Sequence, residues 1–116
     1  MKLKKIKDIL EAEIICGSDL LDKEIKTVSA ADLMSDVLTF ARPDSLLLTG
    51  LTNSQVIRTA EMSDLTAICF VRGKKPNKDA VELAMKSEIL LFTTKFSMYV
   101  SCGKLYKEGI PNSSER

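Results

Sequence analysis

The sequence predicts an α/β fold in which helices layer against a mostly parallel sheet, and three successive strand–corner–helix units predict it. Residues 45–50, SLLLTG, form a continuous apolar run ending in a polar–glycine corner, the pattern of a strand buried on both faces. AICFV at 67–71 and EILLF at 88–92 repeat it, and each is followed by a short loop and a helical pattern. Loops this short return each helix across the sheet, so the three strands run parallel with right-handed crossovers.

Upstream, Leu3, Ile6, Ile9 and Leu10 recur at helical spacing among Lys2, Lys4, Lys5 and Lys7, which predicts a short amphipathic helix. AEIIC at 12–16 reads as a strand, GSD as a turn, and EIKTVSA at 24–30 as a second strand that pairs with the first, in a register the sequence leaves open. Asp32 or Ser35 caps a helix through Phe40, with Leu33, Val37, Phe40 and Ala41 on one stripe and Arg42–Pro43 ending it. Thr52 and Gln55 have the spacing of a capping box for a helix over 53–63. Ala80, Val81, Ala84 and Met85 form the inner face of the next helix, and Thr94 caps the last, FSMYVSCGKLY. The domain is expected to span 1–110, and the tail 111–116, without an apolar anchor, is expected to be disordered.

Composition narrows the function. Seventeen basic against sixteen acidic residues leave a charge of +1, too weak a field to hold a nucleic acid. No apolar run approaches a bilayer span, and MKLKKIKDIL lacks a secretory core, so the expectation is a cytoplasmic protein without membrane contact. Three cysteines without C-x-x-C spacing suggest reduced thiols rather than a disulfide framework or a zinc site. Histidine is absent, which removes the commonest general base and transition-metal ligand. No catalytic residue, metal or cofactor is expected. TGLTNSQ lacks the Gly-Lys-Ser/Thr ending of a phosphate-cradling P-loop, and Asp32 with Asp36 reads as a cap plus a solvated face.

In parallel α/β sheets ligands settle outside the carboxyl ends of the strands. There the chain places Thr49, Gly50 and Asn53, then Arg72, Gly73, Lys74 and Lys75, then Thr94 and Lys95. Cations, backbone close to a glycine and helix N-termini all suit a small phosphate or carboxylate. Turning and capping are the better account of Thr49, Gly50 and Asn53, whereas three cations within four loop positions exceed what solubility needs and suit either an anion or a loop that is basic by chance. Cys69, mid-strand, reads as core, and Cys102 has no imidazole to activate it. The last helix carries Phe96, Met98, Tyr99, Cys102 and Tyr106 around more of its circumference than one buried stripe needs. A second copy covering this helix, in a homodimer, is the expectation; burial inside its own domain is the alternative.

The stretch from Leu46 to Ile110, with TGLTNSQ, FVRGKKPNKDAVELA and LLFTTKFSMYVSCGKLY, together with SAADLMSDVL upstream, resembles the DRTGG domain family and its small stand-alone bacterial members. That resemblance implies a fold similar to the N-terminal domain of HPr kinase/phosphorylase, a three-layer α/β/α sandwich with a mixed sheet, here of about five strands. It also implies a regulatory or dimerising module without catalytic residues, with a possible place in redox- or hydrogenase-linked regulation. Thr49 and Gly50 match the family's Thr-Gly corner, while Leu51 stands where many members have a second glycine. Two functions are consistent with these residues: a non-enzymatic module sensing an anionic metabolite or nucleotide, and an accessory subunit whose catalytic groups come from a protein partner.

Overall fold

The computed structural model describes residues 1–113. In chain order the elements are α1 (Leu3–Ile9), β1 (Glu13–Cys16), a 3-10 turn (Ser18–Leu20), β2 (Thr27–Ala30), α2 (Met34–Phe40), β3 (Ser45–Thr49), α3 (Ser54–Met62), β4 (Ala67–Phe70), α4 (Lys78–Ser87), β5 (Leu90–Thr93) and α5 (Met98–Lys107). The five strands form one mixed sheet in the order β1-β5-β4-β3-β2. β2 to β5 run parallel, and β1 lies antiparallel against β5.

Alternation along the strands divides the core into two layers. Leu47, Ile68, Phe70 and Leu91 face α2, α3 and α4, which supply Val37, Val56, Ile57, Ala60, Ala80 and Ala84. Leu46, Leu48, Ala67, Cys69, Leu90 and Phe92 face the other way, onto Leu3, Ile6 and Leu10 from α1 and Leu105 from α5. β2 to β5 advance one position at a time in one direction, so crossovers of a single hand carry α2, α3 and α4 to the same face. The terminal helices α1 and α5 cover the opposite face, giving the α/β/α sandwich.

The two N-terminal strands do not pair; they occupy opposite edges of the sheet. The segment between them is no hairpin turn: Ile25 is buried, and Leu20 and Leu21 pack against the core beneath α1. The carbonyls of Lys23 and Leu21 accept from the N–H groups of Leu3 and Lys4 at 2.9 and 2.8 Å, so this crossing strap caps α1.

Several local expectations are corrected. α2 begins at Met34 without a side-chain cap, so neither Asp32 nor Ser35 fills that role. Only Val37 of its stripe is buried, and Leu33 and Phe40 face outward. α3 starts after Asn53 with no side-chain capping bond, and the Thr52–Gln55 box does not form. Ser97 caps α5 by accepting from the Val100 N–H, the place assigned to Thr94. Met85 is exposed instead of lining the inner face of α4.

The segment 111–113 is packed, contrary to the expected tail; residues 114–116 lie outside the described residues. The Pro111 carbonyl accepts from the Val28 N–H at 2.9 Å, on the outer edge of β2. Ser113 is buried, and its Oγ lies 2.7 Å from Thr27 Oγ1, which also meets Ser45 Oγ at 2.5 Å. Truncation after Ile110 strips partners from Val28 and Thr27. It should lower the unfolding free energy by about 1–3 kcal/mol in urea titrations, and an unchanged midpoint would show that this edge needs no cover.

Candidate anion-binding rim

The carboxyl ends of β2, β3, β4 and β5 lie on one rim, because the four strands are parallel. The Thr49, Arg72 and Thr94 corners therefore emerge side by side. Beyond β4 the chain turns to α4 on one face, and beyond β5 it turns to α5 on the other. Such a divergence ordinarily opens a ligand crevice.

Here the crevice is sealed by backbone. The Arg72 N–H donates to the Phe96 carbonyl at 2.8 Å and the Gly73 N–H to the Thr94 carbonyl at 2.7 Å. Thr93 Oγ1 donates to the Lys74 carbonyl at 2.7 Å, and the Thr94 N–H to the Phe70 carbonyl at 2.9 Å. Arg72 holds φ +60°, a left-handed conformation that costs a non-glycine residue about 1–2 kcal/mol and aims its peptide into this seam.

The polar residues predicted for the site consequently divide by direction. Thr49 and Thr94 are buried and serve the fold. Thr49 Oγ1 donates to Asp32 Oδ1 at 2.9 Å, while Thr94 Oγ1 donates to the Leu10 carbonyl at 2.6 Å and ties the end of α1 to β5. Asn53 is exposed at the start of α3. Arg72, Lys74, Lys75 and Lys95 all point to solvent. Lys74 Nζ donates to the Gly50 carbonyl at 3.4 Å, and Lys75 Nζ lies 4.0 Å from Glu13 Oε1. Among the described residues the Arg72 and Lys95 side chains have no partner.

Asp32 is the rim residue that the sequence reading misplaced. Its Oδ1 accepts from the Gly50 N–H at 2.7 Å as well as from Thr49. Both Asp32 oxygens and Lys74 Nζ come within 3.7 Å of the point where a Cβ on Gly50 would stand. The donor that an anion would use at this corner is thus held by a carboxylate of the chain itself. The available signal was topological: Asp32 follows a strand parallel to β3 and so leaves it at the same rim.

A groove of about 550 Å³ lies between α5 and β2. Tyr99, Cys102 and Tyr106 of the predicted interface line it, beside Val28, Ala30 and Leu105. Phe96 and Met98 do not. Phe96 lies under the Lys104 ammonium, 4.7 Å from the ring centroid, and Met98 packs against the core. Thiol chemistry has no activated group here. Burial pushes the Cys69 thiol up to about 12, against a smaller lowering by the Thr94 backbone, and raises Cys16 and Cys102 as well. Among the described residues no cluster of Cys, Asp and Glu is placed to hold a metal ion, and no helix is long and apolar enough to cross a membrane.

No family model matches the sequence, and no curated protein matches it. A solved structure shares the fold: the CBS and DRTGG domains of the regulatory region of Clostridium perfringens pyrophosphatase, complexed with the activator diadenosine tetraphosphate. It is 18% identical, with a TM-score of 0.75 over 98% of this chain and 51% of the other. The chain spans about half the length of that regulatory region and shares its α/β architecture.

Proposed function

We propose that this chain is a regulatory module without catalytic groups of its own, which reads a phosphate-bearing metabolite or nucleotide at the cationic rim. The observation that carries this reading is the outward display of Arg72, Lys74, Lys75 and Lys95 around a corner whose backbone donors are already bonded. Such a surface gives a spread phosphate chain several charged contacts, while a single small anion finds no vacant backbone cradle. The structural neighbour supports the class of ligand, since that regulatory region is complexed with a dinucleotide polyphosphate. The module works as a homodimer joined through α5, whose exposed tyrosines are otherwise unpartnered apolar surface. It carries its signal to a protein partner in the cytoplasm, as the likeness to regulatory domains suggests.

The test is a thermal-shift series with inorganic phosphate, mononucleotides and diadenosine tetraphosphate. A ligand held at a hundred times its dissociation constant stabilises the fold by about 2.7 kcal/mol, a readily seen rise in Tm. The polyphosphates should raise Tm most, and the Arg72→Ala/Lys74→Ala double variant should lose that rise while melting, without ligand, close to the parent. No response to any phosphate compound would refute the rim as a binding site.

A further inference from the structure

The middle of α5 holds a residue that the fold itself does not require. Gly103 lies well inside the helix, where glycine is less stable than alanine by up to about 1 kcal/mol. Close packing within the chain would account for it, yet a Cβ built on Gly103 meets nothing within 4 Å. The residue is exposed and lines the groove between Tyr99 and Tyr106. These stand four positions before it and three after, so helical geometry sets all three on one stripe. Tyr99 is 87% exposed and Tyr106 77%. At 1.5 Å per residue the tyrosines are about 10 Å apart along the axis, with a bare notch between them.

We infer that the partner of this stripe is a second copy of the chain, the two α5 helices crossing antiparallel with Gly103 against Gly103. The inference rests on the dimer reading above and goes beyond it by fixing the point of contact. A two-fold interface needs projection and recess on the same patch, since each copy presents the same surface to the other. This stripe has both: the tyrosines project toward the partner's groove between α5 and β2, and the bare glycine notch lets the two helix backbones meet. Without a side chain at the crossing, the backbones can approach to the near end of the usual 8–10 Å separation, or inside it. Aromatic side chains bury about 150–250 Å² each, so two exposed tyrosines supply a large share of the ~800 Å² that each partner commits to a standard interface. Antiparallel crossing also sends Lys107, about one turn beyond the crossing, to opposite ends of the contact in the two copies.

Gly103→Ala tests this because its two effects have opposite signs. The open space around Gly103 admits a methyl group, so the dilute monomer should melt a few degrees higher. The dimer dissociation constant, measured by sedimentation equilibrium, should weaken about tenfold or more. As an independent readout, Gly103→Cys in a Cys102→Ser background should form a covalent dimer on mild oxidation, because a residue on the two-fold axis meets its own copy. A dimer whose affinity ignores Gly103→Ala and whose Gly103→Cys form does not cross-link would overturn the crossing point and leave dimerisation standing. A parent chain that stays monomeric at high micromolar concentration would overturn both. A monomer whose groove binds an apolar fluorescent probe would assign that surface to a small molecule instead.

Discussion

Gly17→Ala is expected to lower the unfolding free energy by about 3 kcal/mol, because two penalties act at one position. Gly17 ends β1 with φ +86° and ψ 27°, a left-handed conformation that disfavours any side chain by about 1–2 kcal/mol. A Cβ there would also lie 2.8 Å from the Cα of Leu90 and 3.3 Å from the Ile89 carbonyl oxygen. Both neighbours are backbone at the start of β5, in the sheet interior, so relief requires moving a strand and not a rotamer. Gly109→Ala is the matched control. It has the same left-handed backbone, φ +89°, with open space around it, and should lose only the conformational share of about 1–2 kcal/mol. Urea unfolding of the two variants isolates the contact, and equal losses would show that β5 yields without resistance.

The position of Gly17 also shows where local sequence stops determining the fold. The three βα units were legible because each strand is a short apolar run and each helix begins within a few residues of it. β1 carries no such information: it pairs with a strand more than seventy residues later, and its own burial is partial. Nothing in EIIC distinguishes an edge strand against β5 from one arm of a hairpin with β2. The deciding feature is the strap beneath α1, where Ile25 needs burial and the N–H groups at the amino end of α1 need carbonyl acceptors. α2 misled for a related reason. Beside an edge strand it buries only Val37 fully, with Met34 and Ala41 partly covered, so a predicted stripe of four buried residues had too little surface to bury against.

The rim divides along the same line. Its cations were legible as composition, since RGKK stands out in any βα loop. The partners of its hydroxyls were not, because Thr94 is bonded to Leu10, 84 residues away, and Thr49 to Asp32, 17 residues earlier. The tertiary fold makes these contacts, and residue spacing alone does not reveal them; only the parallel pairing of β2 with β3 brings Asp32 to the rim. The seam bonds at Arg72 and Gly73 fix the backbone of the cationic corner, so on the proposed function less of the chain would have to be ordered by a ligand.

Phe70→Ala is expected to cost about 3–5 kcal/mol, the largest loss for a side chain in contact with that seam. Phe70 closes β4 and is fully buried between the sheet and the layer of α2, α3 and α4. Its carbonyl accepts from the Thr94 N–H and from Thr93 Oγ1, so the ring beneath and the seam above meet in one residue. A domain of this size has about 5–15 kcal/mol in total, so the variant should be largely unfolded at moderate urea. Phe70→Leu retains most of the buried surface and should lose about half as much. Its Arg72–Phe96 and Gly73–Thr94 hydrogen bonds do not depend on the ring, so slow amide exchange at Arg72 and Gly73 should survive in the leucine variant. Fast exchange there, in a protein that is still folded, would mean that the cationic corner is held in place by core packing and not by its own backbone.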